Sequence, residues 1–109
     1  MRRTILAVLA AAFGPSLLAY AAQTVTVAQH GRAFAISELT LAAGDTARFV
    51  NEDDFPHQVH VSGPGMTVDS DLQETGGSTS VRFPNAGTFA VRCGIHPRMH
   101  LTVTVRPAP

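Results

Sequence analysis

Hydrophobic and polar residues alternate along much of the chain after residue 21, with the period of two that is typical of half-buried β-strands. No stretch of ten or more residues there has the periodicity of a helix. Residues 66–78 alternate little, and we expect a loop there with at most one short turn of helix. The predicted strands, separated by turn-forming residues, lie at 24–27, 33–36, 39–41, 46–51, 58–61, 80–83, 88–93 and 101–105. Short strands at this spacing predict an all-β domain, an antiparallel sandwich or barrel.

The alternation also predicts which side chains face the core. Cys93 lies on the inward face of its strand, together with the apolar residues two and four positions before it. Extending the last strand backwards turns Met99 inward, and His57 points inward with the valines two and four positions after it. His96 lies on the loop that joins the last two strands. Three strands therefore deliver polarisable or titratable side chains to the interior.

The N-terminus has the three parts of a secretory signal. Arg2 and Arg3 precede the apolar run 4–13, and small residues surround a cleavage site after Ala21. A glycine and a proline interrupt the run well before the roughly 20 apolar residues that a membrane span needs. We therefore predict a cleaved signal peptide at residues 1–21 and one domain at residues 22–109. The paired arginines match a twin-arginine export signal only weakly.

Cleavage would leave six arginines against eight acidic residues, because the chain has no lysine and two arginines leave with the signal. A net charge near −2 without a basic stripe argues against nucleic acid or anionic lipid as a partner. Cys93 is the only cysteine, so no disulfide can form within an exported chain. It is either an inert buried thiol or a ligand.

Cys93, His96 and Met99 form a C-x2-H-x2-M motif on one short loop, and His57 lies 36 residues before the cysteine. Each residue alone is more often part of a core than a ligand. Together they supply two imidazoles, a thiolate and a thioether, the set that binds copper in a trigonal site with a weak axial methionine. Zinc sites usually combine two CxxC or HxxxH pairs, and this chain has no CxxC and no second pair beside the single HxxxH at 96–100. The combination favours copper.

With these residues, the chain resembles the cupredoxin (type 1 blue copper) family, in particular its amicyanin and plastocyanin-like members. The resemblance covers nearly the whole mature chain, and Val91 departs from it, since family members often have tyrosine there. The similar segments are Phe34, Leu39, Leu41 and Gly44–Thr46 in the first hairpin, Val50–Asn51 and Phe55–His57 before the first ligand, Asn85–Phe89 before the cysteine, and the loop Cys93–Met99.

The resemblance implies a Greek-key β-sandwich with one type 1 copper per chain. It implies that His57 and His96 bind through Nδ1, Cys93 through its thiolate and Met99 through a long axial bond. It further implies a periplasmic electron carrier and not an enzyme. Such a carrier would be a monomer that passes single electrons from a donor dehydrogenase to an acceptor cytochrome or oxidase. After signal cleavage it would contact no membrane.

Residues around the ligands have implied supporting roles. Asn51 resembles the asparagine that ties the two ligand loops together by hydrogen bonds. Pro56 and Pro97 each adjoin a ligand histidine and restrict its loop. Phe55, Pro56 and Pro97 are expected to form an apolar collar for transient docking around His96, which is the expected point of electron entry and exit.

Two other functions stay open from the residues alone. Copper sequestration or delivery would use the same ligands together with His60 and His100, although the alternation predicts that both of these face solvent. A Cys–His hydrolase is disfavoured because no oxyanion-hole motif or orienting acid is evident. The acidic run 52–54 is expected to be a solvated loop, which could steer a basic partner if it lay beside the copper.

Overall fold

A computed structural model describes residues 19–109, so most of the predicted signal peptide lies outside the described residues. Within that range the chain is all-β and has no helix long and apolar enough to cross a membrane. The strands are β1 (Thr24–Gln29), β2 (Glu38–Ala42), β3 (Thr46–Asn51), β4 (His60–Gly63), β5 (Met66–Asp69), β6 (Ser78–Arg82), β7 (Gly87–Arg92) and β8 (His100–Arg106).

The strands form two mixed sheets, with the orders β1-β3-β6 and β2-β8-β7-β4-β5. The prediction of a wholly antiparallel sandwich was wrong, because β1 pairs with β3 in parallel and β2 pairs with β8 in parallel. Between β1 and β3 the chain crosses to the second sheet to form β2, and it therefore re-enters the first sheet in its original direction. The remaining pairs, β3·β6, β4·β5, β4·β7 and β7·β8, are antiparallel.

Two predicted elements differ from the structure. Residues 33–36 form no strand and contribute one isolated bridge between Gln29 and Phe34. Gly31 and Arg32 both have left-handed backbone angles, with φ of 65° and 58°, which turn the chain back on itself. The predicted loop at 66–78 instead begins with the edge strand β5, whose four residues are too short a segment for alternation to be read reliably.

The core lies between the sheets and contains the inward residues of both. Phe49 and Phe83, which are fully buried, make edge-to-face contacts with Phe34 and Phe89 at centroid distances of 5.7 and 5.4 Å. The predicted inward faces of β7 and β8 are buried. The core residues on these two strands are Phe89, Val91, Leu101, Val103 and Val105.

Strand direction gathers the candidate ligands at one end of the sandwich. β3 and β7 end there at Asn51 and Arg92, and β8 starts there at His100. At the opposite end, Asp45 caps the turn between β2 and β3. Its carboxylate accepts hydrogen bonds from the N–H groups of Ala42 and Gln23. The two ends therefore differ in chemistry, and the core separates them.

We expect the substitution Gly63→Ala to lower the free energy of unfolding by about 1–3 kcal/mol. A Cβ at this position would overlap the ring of Phe89, which is buried against Phe83 and cannot withdraw. Urea denaturation checks the effect, with Ser62→Ala on the same strand as the control. Equal stability of the two variants would contradict this account of the packing.

Candidate metal centre

Three of the candidate ligands converge at the end of the sandwich. The Nδ1 atoms of His57 and His96 lie 3.2 Å apart, and Cys93 Sγ lies 3.8 Å from each of them. His57 and Cys93 are buried, and His96 is half-buried. Among the described residues, these three form the cluster of histidine, cysteine and acidic side chains that could hold a metal ion.

The backbone fixes where each donor lies. Cys93 immediately follows β7, and β8 begins at His100, so the antiparallel pairing of these strands holds both ends of the intervening loop. Within the loop, the N–H of Met99 donates to the carbonyl of His96 over 2.9 Å, which closes a tight turn. His57 is held by two backbone hydrogen bonds with Gln73, of 3.1 and 2.7 Å.

The far side of the His57 ring is bonded to a carboxylate. Its Nε2 lies 2.7 Å from Oδ2 of Asp53, and both side chains are buried. An ionised carboxylate can only accept a hydrogen bond, so Nε2 carries the proton. Nδ1 then keeps its lone pair and faces Cys93 and His96, which is the tautomer that a metal bound at Nδ1 requires.

Asp53 also fixes a neighbouring loop. Its two carboxylate oxygens accept hydrogen bonds from the N–H groups of Gly31 and Arg32, over 2.7 and 3.1 Å. Burial opposes ionisation, but the hydrogen bond from His57 and those from the two backbone groups outweigh it and lower the pKa of Asp53 to about 2. The expectation that the whole run 52–54 is solvated was therefore wrong for Asp53. Its spacing of four residues from His57 was no signal of this contact, because that spacing brings side chains together on a helix and residues 53–57 are not helical.

His96 lies at the surface edge of the cluster. The ring of Phe55 packs against both imidazoles, with its centroid 5.3 Å from each of theirs. Burial lowers the pKa of His96, and so do the neighbouring His57 imidazole and Arg32 guanidinium, against the opposing effect of Asp53. Its imidazole is consequently neutral at neutral pH, with a lone pair available for a metal.

The two sulfur-containing candidate ligands are both buried. Cys93 is 2% exposed, and the N–H of Gln58 donates to its Sγ over 3.4 Å. This bond joins the segment after His57 to the cysteine and places a donor where thiolate charge would reside. Met99 is 1% exposed, as the backward extension of the β8 alternation predicts.

A sequence profile of the copper-binding proteins of the plastocyanin/azurin family matches residues 21–106. The chain is a cupredoxin of this family. No curated protein matches it significantly by sequence.

Solved structures of amicyanin are similar to this cupredoxin. The copper(I) form of one amicyanin variant superimposes with a TM-score of 0.71 and 27% identity, over 80% of this chain and 86% of the other. An oxidised variant gives 0.70 and 27%, over 76% and 82%. A copper-containing nitrite reductase from Thermus scotoductus SA-01 gives 0.68 and 28%, over 85% of this chain but 24% of the enzyme.

Copper is the cofactor of this family, and the donor set of the cupredoxin fits one type 1 copper. A buried thiolate and two imidazoles are softer donors than the oxygen ligands that magnesium and calcium prefer. The fit rests on the fixed tautomer of His57 and on the convergence of Nδ1, Nδ1 and Sγ.

Asn51 is fully buried, but its side chain bonds elsewhere than the resemblance implies. Its Nδ2 donates to the carbonyls of Phe55 and Gln73, and its Oδ1 accepts from the N–H of Asp53. In the described residues these bonds join the 51–57 segment to the loop before β6. The bond from Gln58 to Cys93 makes the connection to the second ligand loop instead.

The other sequence-predicted positions do not belong to the cluster. Pro56, which precedes His57, is half-buried, and Pro97, which follows His96, is exposed. His60 bonds to the carboxylate of Asp69 on the outer face of the β4–β5 hairpin, and His100 is exposed. The predicted outward direction of these two histidines agrees with the structure.

Replacing Asp53 with asparagine is expected to weaken copper binding about 10–100-fold. The amide can no longer accept from both the imidazole and the two backbone N–H groups, so at least one buried donor loses its partner. The metal-free protein should also lose about 1–3 kcal/mol of stability. Competition with a copper chelator and thermal unfolding measure the two effects.

The matched control is Asp54→Asn, which removes the same charge from the exposed neighbour. Should both variants behave alike in both measurements, the hydrogen bonds of Asp53 would not be what holds His57.

Proposed function

We propose that this cupredoxin is an exported carrier of single electrons, with its copper held by His57, Cys93, His96 and Met99. The observation that carries the proposal is the convergence of three donor atoms from two distant segments. When bound, copper supplies a one-electron couple between Cu(I) and Cu(II). The protein's task is then to keep the ligands still while the charge at the site changes.

Hydrogen bonds supply that rigidity. His57 is fixed on one side by the Asp53 carboxylate and along its backbone by Gln73. Cys93 is fixed by its place at the end of β7 and by the N–H of Gln58. Ligands held in this way move little between oxidation states, and little reorganisation favours rapid transfer.

The half-buried His96 is the ligand through which electrons would enter and leave. His57, Cys93 and Met99 are each 2% exposed or less, so a partner cannot reach the metal through them. The large hydrophobic side chains that are exposed in the described residues lie on loops at this same end. They are Ile36, Leu72 and Ile95. Apolar side chains around a port suit brief contacts over a small interface.

The structural relatives support redox turnover, because amicyanin variants are known in both the copper(I) and the oxidised state. By analogy, the partners would be a donor dehydrogenase and an acceptor cytochrome or oxidase, met one at a time by a monomer. The likeness to nitrite reductase covers a minor part of that enzyme, which favours a carrier over an enzyme.

The alternatives have less support. No contact in the described residues supports copper sequestration with His60 and His100 as extra ligands. His60 is hydrogen-bonded to Asp69, and neither histidine belongs to the cluster. A hydrolase would need a nucleophile that a substrate can reach, and the Cys93 thiol is 2% exposed.

The copper(II)-loaded protein should absorb strongly near the red end of the visible spectrum, because charge transfers from the Cys93 thiolate to the metal. Cys93→Ser should abolish this absorption, whereas the control His100→Ala should retain it. Voltammetry should give a reversible one-electron couple. A colourless copper-loaded protein would contradict the assignment of a type 1 site. A coloured protein without a reversible couple would favour copper storage over electron transfer.

Residues 1–21 are proposed to be the signal peptide of a periplasmic domain that spans residues 22–109. In the full chain, the hydroxyl of Tyr20 donates to Asp45 over 2.7 Å. Cleavage after Ala21 removes this bond, while the N–H groups of Gln23 and Ala42 remain as donors to the carboxylate. The cap of the β2–β3 turn therefore survives processing.

Mass spectrometry of protein from the periplasmic fraction is expected to give Ala22 as the first residue. A variant with charged residues placed in the apolar run 4–13 should stay in the cytoplasm uncleaved. Recovery of the wild-type chain in the membrane fraction with its N-terminus intact would indicate an anchor instead.

A further inference from the structure

Two arginines flank the exposed edge of His96. Arg32, from the loop after β1, and Arg98, from the ligand loop, line an open cavity of about 290 Å³ together with His96 and Pro97. Both arginines are exposed, and in the described part of the chain neither forms an ion pair with a carboxylate. The surface beside the electron port therefore carries two positive charges next to the predicted apolar collar.

Arg32 is held in this position by the same carboxylate that holds His57. Its N–H donates to Asp53 over 3.1 Å, and its backbone is left-handed, with φ of 58°. A residue other than glycine adopts this conformation only where surrounding contacts require it. Its guanidinium carbon lies 4.7 Å from the centroid of the Phe55 ring, within cation–π distance. The charge of Arg32 is thus fixed against the ring that contacts both imidazoles.

No side chain of the acidic run 52–54 forms an ion pair with either guanidinium group in the described residues. Asp53 is buried, and its carboxylate bonds to His57 and to two backbone N–H groups. Glu52 and Asp54 are exposed but do not line the cavity. From residue 22 onward the chain carries six arginines against eight acids, so the positive surface is local to an otherwise slightly acidic molecule. A local charge of this kind orients a partner as it approaches.

We infer that the surface formed by Arg32, His96, Pro97 and Arg98 docks a redox protein whose contact face is acidic. Carboxylates of the partner pair with the two guanidinium groups while His96 lies against the partner's redox centre. The inference rests on the proposed electron-carrier function and names the class of partner. It replaces the expectation that an acidic loop of this chain steers a basic partner.

Hexacyanochromate(III), a paramagnetic trianion that exchanges no electron here, maps the surface by NMR on the copper(I) protein. We expect line broadening of the backbone amides of residues 31–33 and of His96, Arg98 and Met99. In Arg32→Gln/Arg98→Gln the association constant should fall at least fivefold at low ionic strength, and the difference should shrink as salt is added.

The charge-matched control is Arg82→Gln/Arg106→Gln, which removes two exposed arginines from the opposite end of the sandwich. Both double variants have the same net charge. A lower association constant in Arg32→Gln/Arg98→Gln alone would therefore be due to the local surface and not to the net charge of the protein. Equal losses in the two variants, or broadening centred elsewhere, would overturn the inference. Hexaamminechromium(III), a trication, should broaden other residues, and broadening at His96 would equally overturn it.

A protein probe then tests the class of partner. Horse cytochrome c, which is rich in lysine, and the same protein succinylated so that lysines become carboxylates, differ mainly in the sign of their surface charge. The succinylated form should shift the amides around His96, and Arg32→Gln/Arg98→Gln should abolish the shift. Preference for the native form would overturn the inference. These shifts and the voltammetric couple are independent measurements, so the docking surface and the electron-carrier function can fail separately.

Discussion

The site depends on one buried carboxylate. Removing an ionised group from water is unfavourable unless charge-assisted hydrogen bonds replace the lost hydration, and Asp53 has such bonds from His57, Gly31 and Arg32. Because these donors come from two segments of chain, the orientation of a candidate ligand and the path of a surface loop are determined together. The ring tautomer of His57 and the placement of a surface charge at Arg32 then have the same physical origin.

The alternation of hydrophobic and polar residues predicted most of the strands, because a strand with one buried face has this alternation in its sequence. The alternation gave wrong predictions where strand pairing, and not side-chain burial, determines the structure. Residues 33–36 have the alternation of a strand, but the chain turns back just before them, at Gly31 and Arg32. The edge strand β5 is too short for an alternation to be recognised. The parallel pairs depend on which sheet the chain enters after each crossing, and residue period carries no such information.

The candidate site was partly predictable, because part of it depends only on spacing and alternation in the sequence. Cys93, His96 and Met99 share one loop whose spacing is visible in the sequence, and the inward position of His57 follows from its neighbours. Asp53 was missed because an aspartate in an acidic run looks solvated until the fold supplies donors for it. The hydrogen bonds of Asn51 were also not predictable from the resemblance, since one acceptor, the carbonyl of Gln73, belongs to a segment that meets Asn51 only in the folded sandwich.

The parallel pairing of β2 with β8 determines the order in which the site can be assembled. β8 follows β2 at a long distance along the chain and must insert beside it, and such distant pairings form slowly. Three of the four candidate ligands lie between β7 and β8. A chain that has emerged only as far as β7 therefore carries His57 alone, and a metal ion would meet the full set of donors only once β8 has paired.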